Sequence, residues 1–269
     1  MNFWEDLWYR RLGRPHKLHV IDHGGNGPVA ILLHGIAASS DSWNRLTPLL
    51  NSTYHCITID LLGFGRSPKP QWAAYTMEDH IRSIDHTIKS LHLRGGYTLV
   101  GFSLGSLLAT RFAITRPRAV THVVLLSPPV YIPEASIVSR TARTRNQLLL
   151  KLYKFIRTYR RMTPTNFKRL SYILPLPKSV VKNPETWTPF FRTLEQCIEH
   201  QTITRDIVEI KVPIDVFYGT LDSVIIPYNL RELRGLNDVN LHVVRGGQHD
   251  VNKRYSEVVS KFLLQQAGL

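Results

Sequence analysis

Apolar positions follow two rhythms along the chain. Short, nearly continuous apolar runs occupy 17–22, 28–33, 54–60, 97–102, 121–127, 213–218 and 240–245. Runs of that length and density read as strands buried on both faces of a parallel sheet. Between them, helical spacing covers 41–50, 76–93, 104–115, 227–235 and 250–266. Asp41 and Thr76 stand where N-caps are expected, Asp250 suits the cap of the last helix, and Pro117 stops the third. Strands alternating with helices predict an α/β fold: a mainly parallel central sheet flanked by helices.

The alternation breaks at 131–205. That stretch reads as helical and is interrupted at Pro164, Pro175, Pro177, Pro184 and Pro189, after which the strand pattern resumes at 213. An insertion into one core explains this better than a separate domain. The expected division is a core of 1–130 and 206–269, carrying a helical, basic cap over 131–205.

Composition narrows the picture. With 269 residues, 43% apolar and 20% charged, the chain suits a globular domain with an elaboration and is not compositionally disordered. No apolar run reaches the roughly 18–20 residues that a membrane-spanning helix needs. The first residues, MNFWEDLWYRRLGRPHKL, lack a continuous apolar core and carry Glu5 and Asp6, which predicts no secretory leader and a cytoplasmic location. Cys56 and Cys197 have neither metal-ligand spacing nor the numbers for a disulfide framework, and no metal is expected.

Charge is less ordinary. The formal net charge is +14, and residues 131–205 hold fourteen Lys/Arg against four Asp/Glu, so most of the excess sits in one segment. Within 148–161, Leu149, Leu152, Tyr153 and Ile156 fall at helical spacing, with Lys154, Arg157 and Arg161 on another face. Such a helix can lie on an anionic membrane. A cap helix that turns its apolar face to the site explains the pattern more simply and is the preferred reading. The N-terminal stripe Phe3, Trp4, Leu7 and Trp8 is expected to pack on the core. No nucleic-acid-binding module is recognisable, and no nucleic-acid partner is expected.

The candidate chemistry begins at 97–109, YTLVGFSLGSLLA. A buried-type strand runs into Gly101-Phe102-Ser103-Leu104-Gly105, and a small-residue helix leaves it. This is G-x-S-x-G in the strand–turn–helix setting of a nucleophile elbow. A serine nucleophile needs a base and an acid that orients the base. His249, in GGQHD at 246–250, lies between the last strand and the last helix. Asp222, in GTLD at 219–222, follows an apolar strand, at the end where α/β sheets build their sites. Asp250 is the rival acid, but it adjoins the histidine. Leu32-Leu33-His34-Gly35-Ile36-Ala37 follows an early strand. There Gly35 would let the chain turn so that the Ile36 N–H, with the Leu104 N–H, forms an oxyanion hole, while His34 supports the loop.

LLHGIA at 32–37, DLLGFGRSPKP at 60–70, GFSLG, GTLD and GGQHD together resemble the α/β-hydrolase superfamily, in its esterase/lipase-like branch with a cap domain. The pieces run in family order through nearly all of 17–269, apart from the cap. The resemblance implies that Asp60 and Gly63-Phe64-Gly65-Arg66-Ser67 shape a loop beside the site without reacting. It also implies that Ser103 stands where epoxide hydrolases and haloalkane dehalogenases of this fold carry aspartate, which disfavours those chemistries. Ser106 departs from the second glycine of many relatives, and its hydroxyl is expected to alter packing behind the elbow. The G-x-G at 63–65 lacks the features of a dinucleotide loop, and no cofactor is expected.

The sequence therefore predicts a serine hydrolase that cleaves a small-molecule carboxylic ester, with an apolar acyl or aromatic part, through an acyl-enzyme. The catalytic residues would be Ser103, Asp222 and His249, the oxyanion donors Ile36 and Leu104, and the supporting residues His34, Gly35, Gly101 and Gly105. Peripheral contact with an anionic membrane stays open as the less favoured use of the basic helix. A carbon–carbon bond hydrolase or a peptidase of the same fold uses the same residues and stays open. A non-catalytic ligand-binding relative is the alternative of another class.

Overall fold

The computed structural model describes residues 6–132, 137, 139–158, 183–236 and 238–267, without the side chains of 6, 7, 153 and 156–158. Among the described residues seven strands form one sheet in the order β1-β3-β2-β4-β5-β6-β7. They are β1 (Val20–Asp22), β2 (Val29–Leu33), β3 (His55–Ile59), β4 (Tyr97–Phe102), β5 (Val120–Leu126), β6 (Ile214–Gly219) and β7 (Val239–Val244). Only β1 runs antiparallel, against β3, and the other neighbours are parallel. Each apolar run became a strand, with ends moved by at most one residue, except that β1 starts at Val20 instead of 17.

The helices are α1 (Thr47–Leu50), α2 (Met77–Ser90), α3 (Leu104–Thr115), α4 (Arg140–Thr158), α5 (Trp187–Thr193), α6 (Ile203–Glu209), α7 (Pro227–Arg231) and α8 (Lys253–Gln266). The sheet divides the apolar interior in two. Ala30 and Leu32 face a layer containing α1 and α8, while Ile31 and Leu33 face a layer containing α2, α3 and α6. Alternating side chains supply both layers, so every β2 residue is buried.

Caps decide where helices start. Thr76 and Asp79 form a reciprocal capping box at 3.1 Å in both directions, as the position of Thr76 predicts. The helix expected at 41–50 is broken into a short 3-10 turn, Ser40–Trp43, and α1. Pro48 has no N–H with which to continue the ladder. The cap there is Ser39, whose side chain accepts from the Asp41 N–H, so Asp41 lies inside the turn and does not cap it. The last helix is likewise capped by Asn252, which accepts from the Tyr255 N–H at 3.1 Å. Asp250, expected to be the cap, instead accepts from the Asn252 side-chain amide at 2.7 Å. A carboxylate two residues too early reaches the cap residue but not the first-turn N–H groups.

Leu149 and Leu152 of α4 pack toward the core, while Lys154 on the same helix is exposed. The Arg157 side chain and Arg161 lie outside the described residues, as do Phe3, Trp4, the Leu7 side chain, Pro164, Pro175 and Pro177. Trp8, expected against the core, is 51% exposed, with the Arg14 guanidinium 5.3 Å from its ring centre. Among the described residues no helix is long and apolar enough to cross a membrane.

Buried histidines set an acid limit on this fold. His80 of α2 is fully enclosed and meets Thr193 Oγ1 at 3.2 Å. Burial depresses its pKa to about 4, against some opposition from Asp79. In the unfolded chain the imidazole takes up a proton near 6.5, so that state binds the proton first as pH falls. The contribution of His80 is therefore complete above about 6.5 and is lost progressively toward 4, a total of roughly 3 kcal/mol. Urea unfolding at pH 7.5, 6, 5 and 4.5 should show the midpoint falling throughout this window. The fall should be shallower in His80→Gln, and an equal slope in both proteins would count against this origin.

Candidate active site

The site stands on the carboxyl ends of β2, β4, β5, β6 and β7. Strand β4 turns directly into α3 through Ser103, whose φ of 51° and ψ of −114° lie outside the regions ordinary residues adopt. Two close approaches impose that turn. A Cβ on Gly105 would collide with the Leu33 carbonyl, and one on Gly101 with the carbonyl of Gly105. The helix can therefore start hard against β2 only because both residues are glycine. Ser103 is left 5% exposed at the head of α3, with its N–H donating to the Leu126 carbonyl at 2.9 Å.

The predicted base and acid meet it. Ser103 Oγ is 3.1 Å from His249 Nε2, and His249 Nδ1 is 2.8 Å from Asp222 Oδ2. The other oxygen of Asp222 accepts the N–H groups of Val224 and Ile225 at 2.9 and 3.2 Å. Burial raises the Asp222 pKa, but the His249 hydrogen bond and charge, then Ser127 and the Val224 N–H, outweigh it, and the net shift is downward. The carboxylate stays ionised and accepts from Nδ1–H, which leaves the Nε2 lone pair facing Ser103. Asp250 does not take this place.

Backbone bonds hold the acid and base loops together. Leu221 N–H donates to the Gly247 carbonyl at 2.9 Å, and Gly246 N–H donates to Thr220 Oγ1 at 2.8 Å. A Cβ on Gly219 would strike the Gly247 carbonyl, so the two loops touch through a glycine. The Phe102 ring centre lies 5.0 Å from that of His249. The Arg145 guanidinium, from α4, donates to the Asp222 backbone carbonyl at 3.0 Å.

The loop after β2 supplies the remaining predicted residues. A Cβ on Gly35 would stand 3.1 Å from the Phe102 ring and 3.3 Å from Ser103 Cβ, so this loop abuts the elbow and Ile36 follows at once. Leu104 opens α3, where the first-turn N–H groups have no partner within the helix. His34 is fully buried, and burial lowers its pKa. Its Nε2 accepts from the Leu61 N–H at 2.9 Å, so the proton sits on Nδ1, which donates to the Gly35 carbonyl at 2.7 Å. His34 thus ties two loops together and has no nitrogen to spare.

Asp60 organises the neighbouring loop. Its carboxylate accepts from the N–H and hydroxyl of Ser40 at 2.6 and 2.7 Å and from the Arg66 N–H at 2.8 Å. Ser106 spans the back of the elbow, with its hydroxyl 2.7 Å from the Gly101 carbonyl and 3.2 Å from that of Leu126. Sequence reasoning missed Thr220 and Arg145. A polar residue directly after a buried strand is the one available signal, and of these two it applies to Thr220 alone.

The fold and this site define an α/β hydrolase. The family model described as "alpha/beta hydrolase fold" matches residues 28–253, and the chain belongs to that family. Over 120 residues it is 35% identical to "Probable lysophospholipase BODYGUARD 4" of Arabidopsis thaliana, a stretch covering 43% of this chain and 28% of that protein. Over 92 residues it is 40% identical to a haloalkane dehalogenase of Bradyrhizobium diazoefficiens, covering 34% of this chain and 29% of the relative. The matches thus span less than a third of either relative's length. Among solved structures, an esterase from Exiguobacterium antarcticum superposes with a TM-score of 0.69 at 19% identity, over 94% of this chain and 96% of the other. That likeness concerns the fold.

The glycine contacts yield a direct expectation. Gly105→Ala should push α3 off β2 and cost several kcal/mol, because the colliding atom is backbone and cannot step aside. Thermal unfolding should show a large loss or no folded protein, while Ser106→Ala, which removes only a hydroxyl, should cost about 1 kcal/mol.

Proposed function

We propose that the protein is a serine hydrolase that cleaves a carboxylic ester through an acyl-enzyme. What supports the reading is the unbroken line from Ser103 Oγ through His249 to an ionised, buried Asp222, at 3.1 and 2.8 Å. Ser103 Oγ attacks the ester carbonyl as its proton passes to His249 Nε2. Asp222 holds the Nδ1–H and balances the imidazolium charge without taking a proton. The N–H groups of Ile36 and Leu104 receive the tetrahedral oxyanion. The alcohol leaves with the proton from Nε2, and His249 then deprotonates the water that attacks the acyl-enzyme. The carboxylic acid departs with Ser103 restored. A hydroxyl nucleophile followed by ordinary deacylation fits ester cleavage and needs no cofactor.

Residues 131–205 act in this reading as a cap inserted between β5 and β6. The sheet pauses after Leu126 and resumes at Ile214, and α4, α5 and α6 lie between. Phe190, Phe191 and Leu194 anchor this segment in the buried cluster, and the ester of this reading carries an apolar acyl or aromatic part. An ester panel of varied acyl length, with vinylogous diketones and aminoacyl amides beside it, tests the bond type. Ser103→Ala and Asp222→Asn should each lower kcat by roughly ten-thousandfold. Asp250→Asn should cost less than about tenfold. Ser103→Ala should also abolish labelling by a fluorophosphonate, and turnover or labelling that survives this change would remove Ser103 from the mechanism.

The reading extends to peripheral contact with an anionic membrane. On α4, Leu148 is 66% exposed, and Lys151 and Lys154 are exposed in the following turn. Basic residues at an anionic surface contribute about 1 kcal/mol each, screened within a Debye length of about 8 Å at physiological salt. Co-sedimentation should favour anionic over neutral vesicles, weaken as salt rises, and fall about tenfold or more in Lys151→Glu/Lys154→Glu. Equal pelleting with both vesicle types would leave the ester chemistry standing without the membrane contact.

A further inference from the structure

We propose that the cleft between the start of α4 and α7 binds a phosphate group, held by Arg145 and Arg231. The cleft has a volume of about 270 Å³. Ser139, Thr141 and Arg145 line it from the start of α4, and Pro227, Tyr228 and Arg231 line it from α7. Two arginines thus reach one cleft from different elements, and among the described residues no carboxylate lines it. Arg145 spends one N–H on the Asp222 carbonyl at 3.0 Å, which leaves the rest of its fork for a ligand. Arg231 is exposed at the end of α7. The site goes beyond the ester chemistry proposed above and does not depend on it.

The charge here is out of place without an anion. Arg140, Arg143 and Arg145 fall in the opening turns of α4, whose first turn holds no acidic residue. Arg143 turns away to the Ile137 carbonyl at 2.7 Å, but its charge stays. Positive charge at the amino end of a helix opposes the macrodipole, and Arg231 adds to it across the cleft. Cations that share a cleft repel each other, and a dianion between them reverses the sign of that energy. Phosphate suits the donors better than a carboxylate does. Its oxygens can accept from two guanidinium forks at once, and the Ser139 and Thr141 hydroxyls, 3.0 Å apart, offer further donors. About 270 Å³ lies just under the roughly 300–1,000 Å³ of pockets for drug-sized ligands, which suits a phosphate with a few attached atoms. Because Arg145 both lines the cleft and holds the Asp222 carbonyl, a phosphate there lies one side chain from the acid of the triad. Its source is either the ester substrate itself or a free phosphate, and the recognition chemistry is the same.

The test follows the arginine side-chain N–H signals of the full chain by NMR during titration with sodium phosphate at low ionic strength. Sodium chloride of equal ionic strength is the control. The Arg145 and Arg231 signals should shift together and saturate with phosphate but not with chloride. Arg231→Gln should weaken phosphate binding by about tenfold or more, since a charge-assisted bond is lost. Arg234→Gln removes an exposed arginine that does not line the cleft, and should leave binding unchanged. No saturable shift, an equal response to chloride, or equal affinity in folded Arg231→Gln overturns the site. Kinetics on the ester panel then separate the two sources. If the phosphate belongs to the substrate, a phosphate-bearing ester should exceed its neutral analogue in kcat/KM by about tenfold or more, and Arg231→Gln should erase the difference. Inorganic phosphate should then compete, raising KM alone. If phosphate binds in the cleft without competing against either ester, the ligand is a free phosphate. Absence of any ester turnover overturns the ester reading, while the titration still decides the cleft.

Discussion

Much of this molecule hangs on one steric contact, the approach of the α3 N-terminus to the end of β2, where Gly105 lies against the Leu33 carbonyl. A side chain at that point would push helix and sheet apart. Because they do not part, the link from β4 to α3 has only Ser103 in which to reverse direction, and Ser103 takes up a strained backbone conformation to do so. The strain is held by what surrounds it. The Ser103 N–H bonds across to β5, Ser106 bonds to two carbonyls behind the turn, and Gly35 abuts it from the loop after β2.

The same economy governs the other half of the site. Asp222 and His249 follow consecutive strands, β6 and β7, whose parallel pairing brings Gly219 opposite Val244. The loops that continue from these residues are bonded through Thr220, Leu221, Gly246 and Gly247. The His249–Asp222 distance is therefore set largely by backbone. Buried polar groups elsewhere follow this rule as well. Asp60 and His34 each spend both functional ends on neighbouring main chain, which makes them staples for the loops around the site. Asp215 on β6 bridges His122 and His242 of the flanking strands at 2.6 Å each, doing the same for the sheet's far side.

The strands, the elbow and the chain order Ser103, Asp222, His249 could be read from the sequence because each is a local signal. Continuous apolar runs survive as strands since a parallel sheet buries both faces, and a glycine pair about a serine marks the elbow wherever a strand enters and a helix leaves. Legibility failed where the deciding partner was distant or the choice lay between adjacent polar residues. Ser39 outcompetes Asp41, and Asn252 outcompetes Asp250, because capping depends on the backbone angle at one residue, which composition does not encode. Trp8, an apolar residue in an apolar stripe, is half exposed, with the Arg14 guanidinium over its ring.

Sequence by itself thus determined the α/β class, the existence and order of the strands, and the three residues that could form a nucleophile, base and acid. Only the tertiary structure decided that they come within hydrogen-bonding reach, that Asp222 and not Asp250 faces the histidine, and that the Ser127 and Tyr255 hydroxyls meet in the core. The reason is sequence separation. Ser127 and Tyr255 lie 128 residues apart, and Ser103 and His249 lie 146 apart. No periodicity or local motif links such positions; they become neighbours because the sheet sets β4, β5, β6 and β7 side by side and packs α8 across them.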